Sequence, residues 1–532
     1  MKTPALKIVL LFAGTILFNI IFWQEKIAVN ALLFDAFILL SVFYLYPAAF
    51  TKPVMKWLLL AHAVTLVTLV MHNTILSKLA FSTTLLLVVV FTQFLHRSVW
   101  YAAASAVGNY LLFVFSFVED IRQIKKGEIK SLGIKKALRF LIIPLMIAGV
   151  FFLIYSFSNT VFKDVVNSMG IALQHFFSRF FDWFNWERFG FLMLGLFITG
   201  GLILKMKSNY FSEKEFAKHN DLWRRKHDLK KWKETAMFDL LTLFMGRFAN
   251  GVMALRNENT VGIISLVMLN ALLLFINAID ITYVWFGFSY TPNLNLTQYV
   301  HEGTGMLIFS IVLAMLVLLF FFRGNLNFYK KNKWLRYGAY GWILQNAVLV
   351  VSVLLRDYYY IVHMGLAYKR IGVLVFLLMV LTGLITVFIK IKQRKTAYYL
   401  WRVNGWFAVG LLVAASCVHW DETIASYNLA HKKSIPLDVK FLLSLSDKTL
   451  PLLEKNQDIL DKKPELVSGE GEYLLRSAQT NREVFEIRKK DFFEKQKTYS
   501  WLSWNATDAY VKRNLTKQIG RASCRERVLA SV

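Results

Sequence analysis

The chain has 532 residues, of which 56% are hydrophobic and 16% aromatic, and its mean hydropathy is +0.46. A soluble fold cannot bury that much apolar surface, so these values exclude the soluble globular class. The formal net charge of +28 would suit a nucleic-acid-binding surface, but Lys and Arg concentrate in short loops between apolar runs. We therefore expect a membrane protein that contacts the lipid bilayer and binds no nucleic acid.

Eleven apolar runs are long enough to cross a membrane, because a helix that rises about 1.5 Å per residue needs about 20 residues to cross about 30 Å of hydrocarbon. Each run is expected to be helical, since no water is present to pair its backbone groups. The predicted fold is therefore all-α, a polytopic transmembrane helical bundle of about 11 spans. In chain order the runs are 6–23, 28–45, 57–71, 75–95, 138–157, 189–206, 261–286, 305–322, 337–355, 371–391 and 400–418.

The apolar segment 98–118 is a twelfth candidate, although it carries Ser105 and Asn109 near its middle. The loop that follows, 122–139, contains seven Lys and Arg residues, which the positive-inside rule assigns to the cytoplasm. Four crossings from a cytoplasmic N-terminus already return the chain to the cytoplasm. A fifth crossing would place the basic loop outside, so we interpret 98–118 as a re-entrant or interfacial segment.

The remaining loops alternate in charge as a multi-pass topology requires. Segment 205–233 carries ten basic residues, and the loops 330–336 and 390–395 are also basic, so all three are expected inside. The loop 289–304 contains neither Lys nor Arg and is expected outside. With this topology the N-terminus is cytoplasmic and the segment after Val418 is extracytoplasmic.

The chain divides by composition into four parts. Residues 1–137 form an N-terminal membrane segment, 138–418 the main membrane domain, and 419–518 a soluble tail whose patterns predict short helices near 437–445, 450–460 and 472–495. Residues 519–532 read like a translated sequencing adapter and are excluded from the fold prediction. Two further apolar stretches, 171–186 and 237–255, are predicted to be helices that lie on the membrane surface.

Polar side chains from separate loops are predicted to meet at the outer face of the bundle. Clustered ionisable residues at the mouth of a helical bundle can bind an anionic group or relay protons. The alternative is that they are solvated helix ends, with tyrosines in the aromatic belt and Arg356 paired with Asp357 or Glu302. The candidate ligand-binding residues are Tyr299, His301, Glu302, Arg356, Tyr360, Arg370, Tyr427 and Asn428.

A second group of polar residues falls inside the predicted spans. An acidic side chain at the centre of a membrane helix costs about 2.5–3.5 kcal/mol, so Asp35 requires a purpose such as proton or ion handling. For the amides, hydrogen bonding between helices is the favoured interpretation. The intramembrane polar residues are Asp35, Asn270, Asn277, Asp280, Gln345 and Asn346.

The sequence contains no phosphate loop, dinucleotide fingerprint, zinc signature or nucleophile elbow, so we expect no metal or cofactor, assign no catalytic residue and favour a protein that is not an enzyme. Three short motifs are informative in combination: YVHEG at 299–303, RDYYY at 356–360 with GLAYKR at 365–370, and IASYNL at 424–429. Together they resemble the bacterial membrane proteins grouped as domain of unknown function 4173, which is related to domain of unknown function 4153. The resemblance implies a multi-pass bacterial membrane protein and implies nothing about activity.

Three hypotheses for the function remain open. The leading one is a non-enzymatic protein of the bacterial inner (cytoplasmic) membrane that senses or scaffolds at the envelope, with its outer tail and polar residues engaging an envelope protein or a lipid-linked ligand. The second is a secondary transporter. The third is a transferase that acts on a lipid-linked substrate, in which His301 or Glu302 is the general base. Arg356 or Arg370 would then hold the phosphate.

Overall fold

The computed structural model describes residues 4–124, 185–223, 254–286, 296–322, 324–461 and 480–516, with a few further positions between 148 and 171. No β-strand forms within these ranges, where an isolated antiparallel bridge joins Asp221 and Lys395. The predicted all-α class is therefore confirmed. The apolar run 138–157, most of the two predicted surface helices, and residues 517–532 lie outside the described residues.

Short turns join several consecutive helices of the described ranges, such as those ending at His72 and Met364 to the helices that follow. Several begin with side-chain caps, as at Thr74, whose hydroxyl accepts a hydrogen bond from the Ser77 amide while Ser77 caps in return. We number the helices in chain order: α1 Pro4–Phe22, α2 Val29–Leu45, α3 Pro53–His72, α4 Ile75–Gln93, α5 Val99–Ile124, α6 Trp186–Ile203, α7 Tyr210–Phe216, α8 Ala254–Asp280, α9 Leu296–Phe321, α10 Lys333–Met364, α11 Tyr368–Gln393 and α12 Ala397–Ser416.

Eight helices within the described ranges are long and apolar enough to cross a membrane: α1, α3, α4, α5, α6, α8 with its π-helical extension to Trp285, α10 and α11. A ninth span results if α12 and the helix after it, bent by 60°, count as one. α2 and the apolar part of α9, Gly305–Phe321, are shorter. Large apolar side chains such as Leu40, Phe275 and Leu344 are exposed on these helices, as expected for surfaces that face lipid.

The segment 98–118, predicted to be either re-entrant or interfacial, is not re-entrant. It belongs to the uninterrupted 26-residue helix α5, whereas a re-entrant segment must reverse direction, so the re-entrant alternative is wrong. Asn109 accepts a hydrogen bond from the Met206 amide at 2.9 Å, and Glu119 pairs with Lys207. Both contacts join α5 to the residues just after α6. Since α5 is itself long and apolar enough to cross a membrane, the interfacial alternative stays a prediction.

The chain forms two compact units, and α5 and α6 pack with α1 in the first, which comprises residues 1–25, 33–47 and 106–208. Small residues allow this packing. An added Cβ would lie 2.6 Å from Thr199 at Gly14, 2.8 Å from Phe18 at Gly195 and 2.3 Å from Tyr110 at Gly201. Close approach of small residues is the usual means by which membrane helices associate, since lipid supplies no hydrophobic drive between them.

The second unit comprises residues 26–32, 48–105 and 209–532. Its membrane core is formed by α8 to α12 around buried side chains such as Leu266, Leu318, Phe322, Leu349 and Val353. The chain after α12, described over residues 417–461 and 480–516, is called the C-terminal segment. It adds a second apolar core, which includes Leu442, Leu450, Phe485, Phe492 and Val511. Its helices are α13 Trp420–Ala430, α14 Val439–Ser444, α15 Leu450–Lys455, α16 Asn481–Thr498 and α17, residues 506–516.

Candidate functional site

The amides of the predicted spans join α8 to α10, which lie parallel. Asn270 donates to the Gly338 carbonyl, Gln345 donates to Asn270 Oδ1, and Asn277 donates to the Gln345 carbonyl, each at 3.0 Å. Asn346 donates within α10, to the Trp342 carbonyl at 2.7 Å. The first three contacts are hydrogen bonds between helices, as expected for the amides, whereas the Asn346 contact lies within one helix. Gly341 permits them, because an added Cβ there would lie 3.2 Å from Asn270 Oδ1.

An ion pair also joins α8 and α10, near the C-terminal ends of the two helices. Arg356 on α10 donates to Asp280 Oδ1 on α8 at 2.5 Å, and both side chains are largely buried. Asp280 is a partner of Arg356 that the sequence did not indicate, whereas the Glu302 side chain, one of the two predicted partners, lies outside the described residues. Parallel packing of α8 and α10 brings this pair together, since it aligns residues separated by 76 positions.

Tyr360 and Arg370 meet at the turn that joins α10 to α11. The Arg370 guanidinium lies 4.0 Å from the centre of the Tyr360 ring and donates to the carbonyls of Met364 and Gly365. Gly365 has a φ of 82°, a conformation that favours glycine. Both guanidinium groups considered for phosphate binding, those of Arg356 and Arg370, therefore contact protein groups.

Asn428 joins α13 to the same turn through two hydrogen bonds. Its Oδ1 accepts from the Leu366 amide at 2.6 Å, and its Nδ2 donates to the Leu366 carbonyl at 2.9 Å. An added Cβ at Gly365 would lie 2.5 Å from Asn428 Oδ1. The side-chain amide thus imitates a backbone partner and fixes α13 against the α10–α11 turn.

Asp421, at the start of α13, links the turn to the C-terminal segment. Its Oδ1 accepts a hydrogen bond from the Tyr368 hydroxyl, and its Oδ2 accepts from Ser446 Oγ at 2.5 Å. The carboxylate is buried, so these two donors replace water. Tyr427, another predicted residue, instead packs its ring 4.4 Å from His431.

The structure describes the backbone but not the side chains of three predicted ligand-binding residues. Tyr299, His301 and Glu302 lie in the first turns of α9, and their side chains fall outside the described residues. Asp35 is buried in α2, in the first unit. Of the predicted outer-face residues, the structure therefore brings together Tyr360, Arg370 and Asn428 around the Gly365 turn and places Arg356 at the α8–α10 contact.

A second group of contacts, which sequence reasoning missed, holds the C-terminal segment against the end of α3. Lys448 donates to the His72 carbonyl, Thr507 donates to the Met71 carbonyl, and the rings of His72 and His419 lie 5.6 Å apart. Burial lowers the pKa of Lys448 to about 8. No periodic pattern marks such residues, because their partners are 376 and 436 positions away.

Asp508 and Lys26 form an ion pair beside these contacts. The Lys26 ammonium lies 3.1 Å from Asp508 Oδ2, and the Lys26 amide donates to Ser503 Oγ at 2.7 Å. Burial raises the pKa of Asp508, but hydrogen bonds from Asn505 and the charge of Lys26 outweigh it and hold the pKa below its usual value. At this end of the second unit α3, α10 and α12 end, and the C-terminal segment packs against them. We call it the tail end.

The opposite end of the second unit carries basic residues and a buried acid, Glu215 of α7. Glu215 accepts hydrogen bonds from Tyr398 at 2.7 Å and from the Arg97 amide at 3.1 Å, and it lies 2.7 Å from His96 Nδ1. Burial raises the pKa of Glu215, yet these hydrogen bonds outweigh it and hold the pKa below its usual value. Residues 209–223 thus pack against the end of α4 and the start of α12. We call this end of the second unit the basic end.

No group of His, Cys, Asp and Glu side chains in the described part of the chain has the arrangement of a metal site. Comparison with known families gives one match, to a family described as Domain of unknown function (DUF4153), over residues 34–456. This is the relative of the group that the sequence motifs suggested, and the match to domain of unknown function 4173 is not shown. No curated protein and no solved structure matches the chain.

Proposed function

The chain belongs to this DUF4153 family of multi-pass membrane proteins of unknown activity, and from that premise we propose that it is a non-enzymatic scaffold or sensor of the bacterial inner membrane. Its C-terminal segment acts as a fixed platform at the outer face, where it engages an envelope protein or a lipid-linked ligand. The observation that carries the proposal is the set of polar contacts that dock this segment on the tail end of the bundle.

The docking contacts support a platform because they come from separate parts of the chain. Asp421 and Asn428 hold α13 on the α10–α11 turn. Lys448, Thr507 and Asp508 contact His72, Met71 and Lys26, respectively. Burying so many polar groups with partners gives one defined arrangement, since each undocked group would have to regain water or remain unpaired. A platform with a fixed orientation is what partner recognition requires.

Charge supports the outward orientation. The basic end carries Lys214, Lys218 and Lys395 and continues into the strongly basic segment 224–233. The positive-inside rule assigns such an end to the cytoplasm. The tail end, at the other ends of the same spans, is then extracytoplasmic.

Site-specific photocrosslinking in whole cells tests the proposal. A photoreactive residue replaces Ile487, an exposed apolar residue on α16, and we expect a discrete crosslinked product. In Asp421→Ala, which removes the acceptor for Tyr368 and Ser446, the product should fall several-fold while the amount of protein in the membrane stays constant. Tyr358→Phe, at an exposed ring, is the matched control, and equal crosslinking in all three proteins would refute the platform.

A transporter is the second candidate, supported by buried acceptor oxygens along α8 and α10. Asn277 Oδ1, Gln345 Oε1 and Asp280 Oδ2 have no hydrogen-bond donor within the described part of the chain. Water or a passing cation could supply the missing donor or charge. Proteoliposomes loaded with a pH indicator should then show proton flux that Asp280→Asn abolishes, and the absence of flux of protons or of metal ions would remove this candidate.

A further inference from the structure

A groove opens on the surface of the C-terminal segment between the end of α16 and α17. Its volume is about 680 Å³. The rings of Trp501 and Trp504 are 67% and 51% exposed, although large aromatic side chains are normally covered in a folded segment. We call this the aromatic-basic groove, and the residues that matter for its chemistry are Tyr499, Trp501, Trp504, Asp508, Lys512 and Arg513.

The position of the groove is fixed by its contacts with the end of α3. Thr507, in the segment that forms one wall, donates to the Met71 carbonyl in the last turn of α3. α3 has 20 residues, which gives it a length of about 30 Å, the thickness of the hydrocarbon layer. Its end therefore reaches the level of the lipid headgroups, and the aromatic-basic groove lies at the same level.

The charge of the groove is positive. Asp508 is already compensated, because it pairs with Lys26 and accepts from Asn505 Nδ2 at 2.9 Å. Lys512 and Arg513 are exposed. Their two positive charges are thus available to a ligand. Lys26, 4.8 Å from the centre of the Tyr499 ring, adds no net charge because Asp508 neutralises it.

Exposed tryptophans beside basic side chains at this depth match one ligand chemistry. Trp and Tyr rings are enriched at the membrane interface, where one part of the ring is in hydrocarbon and the other is hydrated. Lys and Arg bind phosphate through charge-assisted hydrogen bonds. A phosphodiester attached to acyl chains satisfies both features, whereas a free anion would leave the tryptophans unused.

We propose that the aromatic-basic groove binds the headgroup of an anionic phospholipid. Lys512 and Arg513 contact the phosphate, while Trp501 and Trp504 insert beside the upper acyl chains. The inference goes beyond the proposed function and does not depend on which leaflet the tail end faces. The lipid would hold the C-terminal segment against the membrane surface.

Native mass spectrometry of the purified 532-residue chain tests this proposal, with phosphatidylglycerol added at increasing concentration. The variant Lys512→Ala with Arg513→Ala should bind it about 30-fold more weakly, the effect of losing two basic residues near an anionic surface. The matched control is Lys495→Ala with Lys497→Ala, which removes the same charge from exposed positions of α16 outside the groove. It should bind like the parent protein.

The added lipid and anion controls decide between sources of the phosphate. Phosphatidylcholine should be retained weakly and equally by all three proteins. Equal retention of phosphatidylglycerol by the groove variant and the parent protein would overturn the proposal. Displacement of phosphatidylglycerol by millimolar inorganic phosphate would also overturn it, since the groove would then be a site for free anions.

Discussion

The buried ion pair between Arg356 and Asp280 is the strongest residue-level feature of the α8–α10 contact. The pairing of Arg356 with Asp280 could not be predicted from the sequence. The sequence shows which side chains lie near the end of a span, but not which helices pack side by side. Only the position of Arg356 near the end of its span, and the polar character of Asp280, followed from the sequence.

Arg356→Ala should lower the free energy of unfolding by about 3–5 kcal/mol, since it leaves the Asp280 carboxylate buried without its cation. Unfolding in detergent micelles, followed by tryptophan fluorescence, measures the change. Asp280→Asn combined with Arg356→Met should recover most of the loss. A loss below about 1 kcal/mol in the single variant would show that the pair is solvated.

Tyr368→Phe should destabilise docking of α13, because Asp421 loses one of its two hydroxyl donors. A hydrogen bond to a buried charged group contributes about 1.5–3 kcal/mol, and thermal unfolding in micelles measures the difference. Tyr358→Phe, at an exposed ring, should be neutral. Equal melting temperatures for the two variants would contradict the assigned role of Asp421.

Lys448 gives the docked segment a pH dependence. Burial lowers its pKa from 10.5 to about 8, so between those values the unfolded chain binds more protons than the folded chain. Stability should therefore rise as the pH increases from about 8 to 10.5, and the cost of burying the charge is fully present below pH 8. Unfolding at several pH values should show a steeper rise in the parent protein than in Lys448→Met, and equal slopes would contradict the burial of this charge.

At the scale of elements, α5 shows both what sequence reasoning can reach and where it stops. Counting basic loops predicted that 98–118 does not cross the membrane as a simple span, and it left two alternatives open. The structure shows why the segment carries Ser105, Asn109 and Asp120: they are buried, while Val107, Leu111 and Phe115 are exposed. The composition of α5 predicts an amphipathic helix, but it does not show whether the polar face or the apolar face packs against the protein.

Gly201→Ala should weaken the contact between α5 and α6, because the new methyl group would lie 2.3 Å from the Tyr110 ring. Overpacking of this kind costs about 1–3 kcal/mol. Gly190→Ala is the control on the same helix, where an added Cβ meets nothing within 4 Å. It should be neutral or stabilising by up to about 1 kcal/mol. Comparable losses in both variants would refute the packing.

At the scale of the whole molecule, hydropathy predicted most of the membrane helices and the helical nature of the C-terminal segment. Local signals sufficed there, since span length and apolar periodicity are properties of short stretches. The docking of the C-terminal segment could not be predicted, because it depends on pairs such as Lys26 with Asp508, 482 positions apart. Such pairs follow from the packing of distant elements and leave no pattern in either stretch.

In the proposed topology the tail end and the basic end lie on opposite sides of the membrane. Single cysteines in place of exposed Lys497 and exposed Ala217, in a chain with Cys417→Ser and Cys524→Ser, can be labelled in spheroplasts with a membrane-impermeant maleimide. We expect labelling at position 497 in intact spheroplasts and labelling at position 217 only after lysis. Labelling at 217 without lysis, or protection of 497 until lysis, would contradict it.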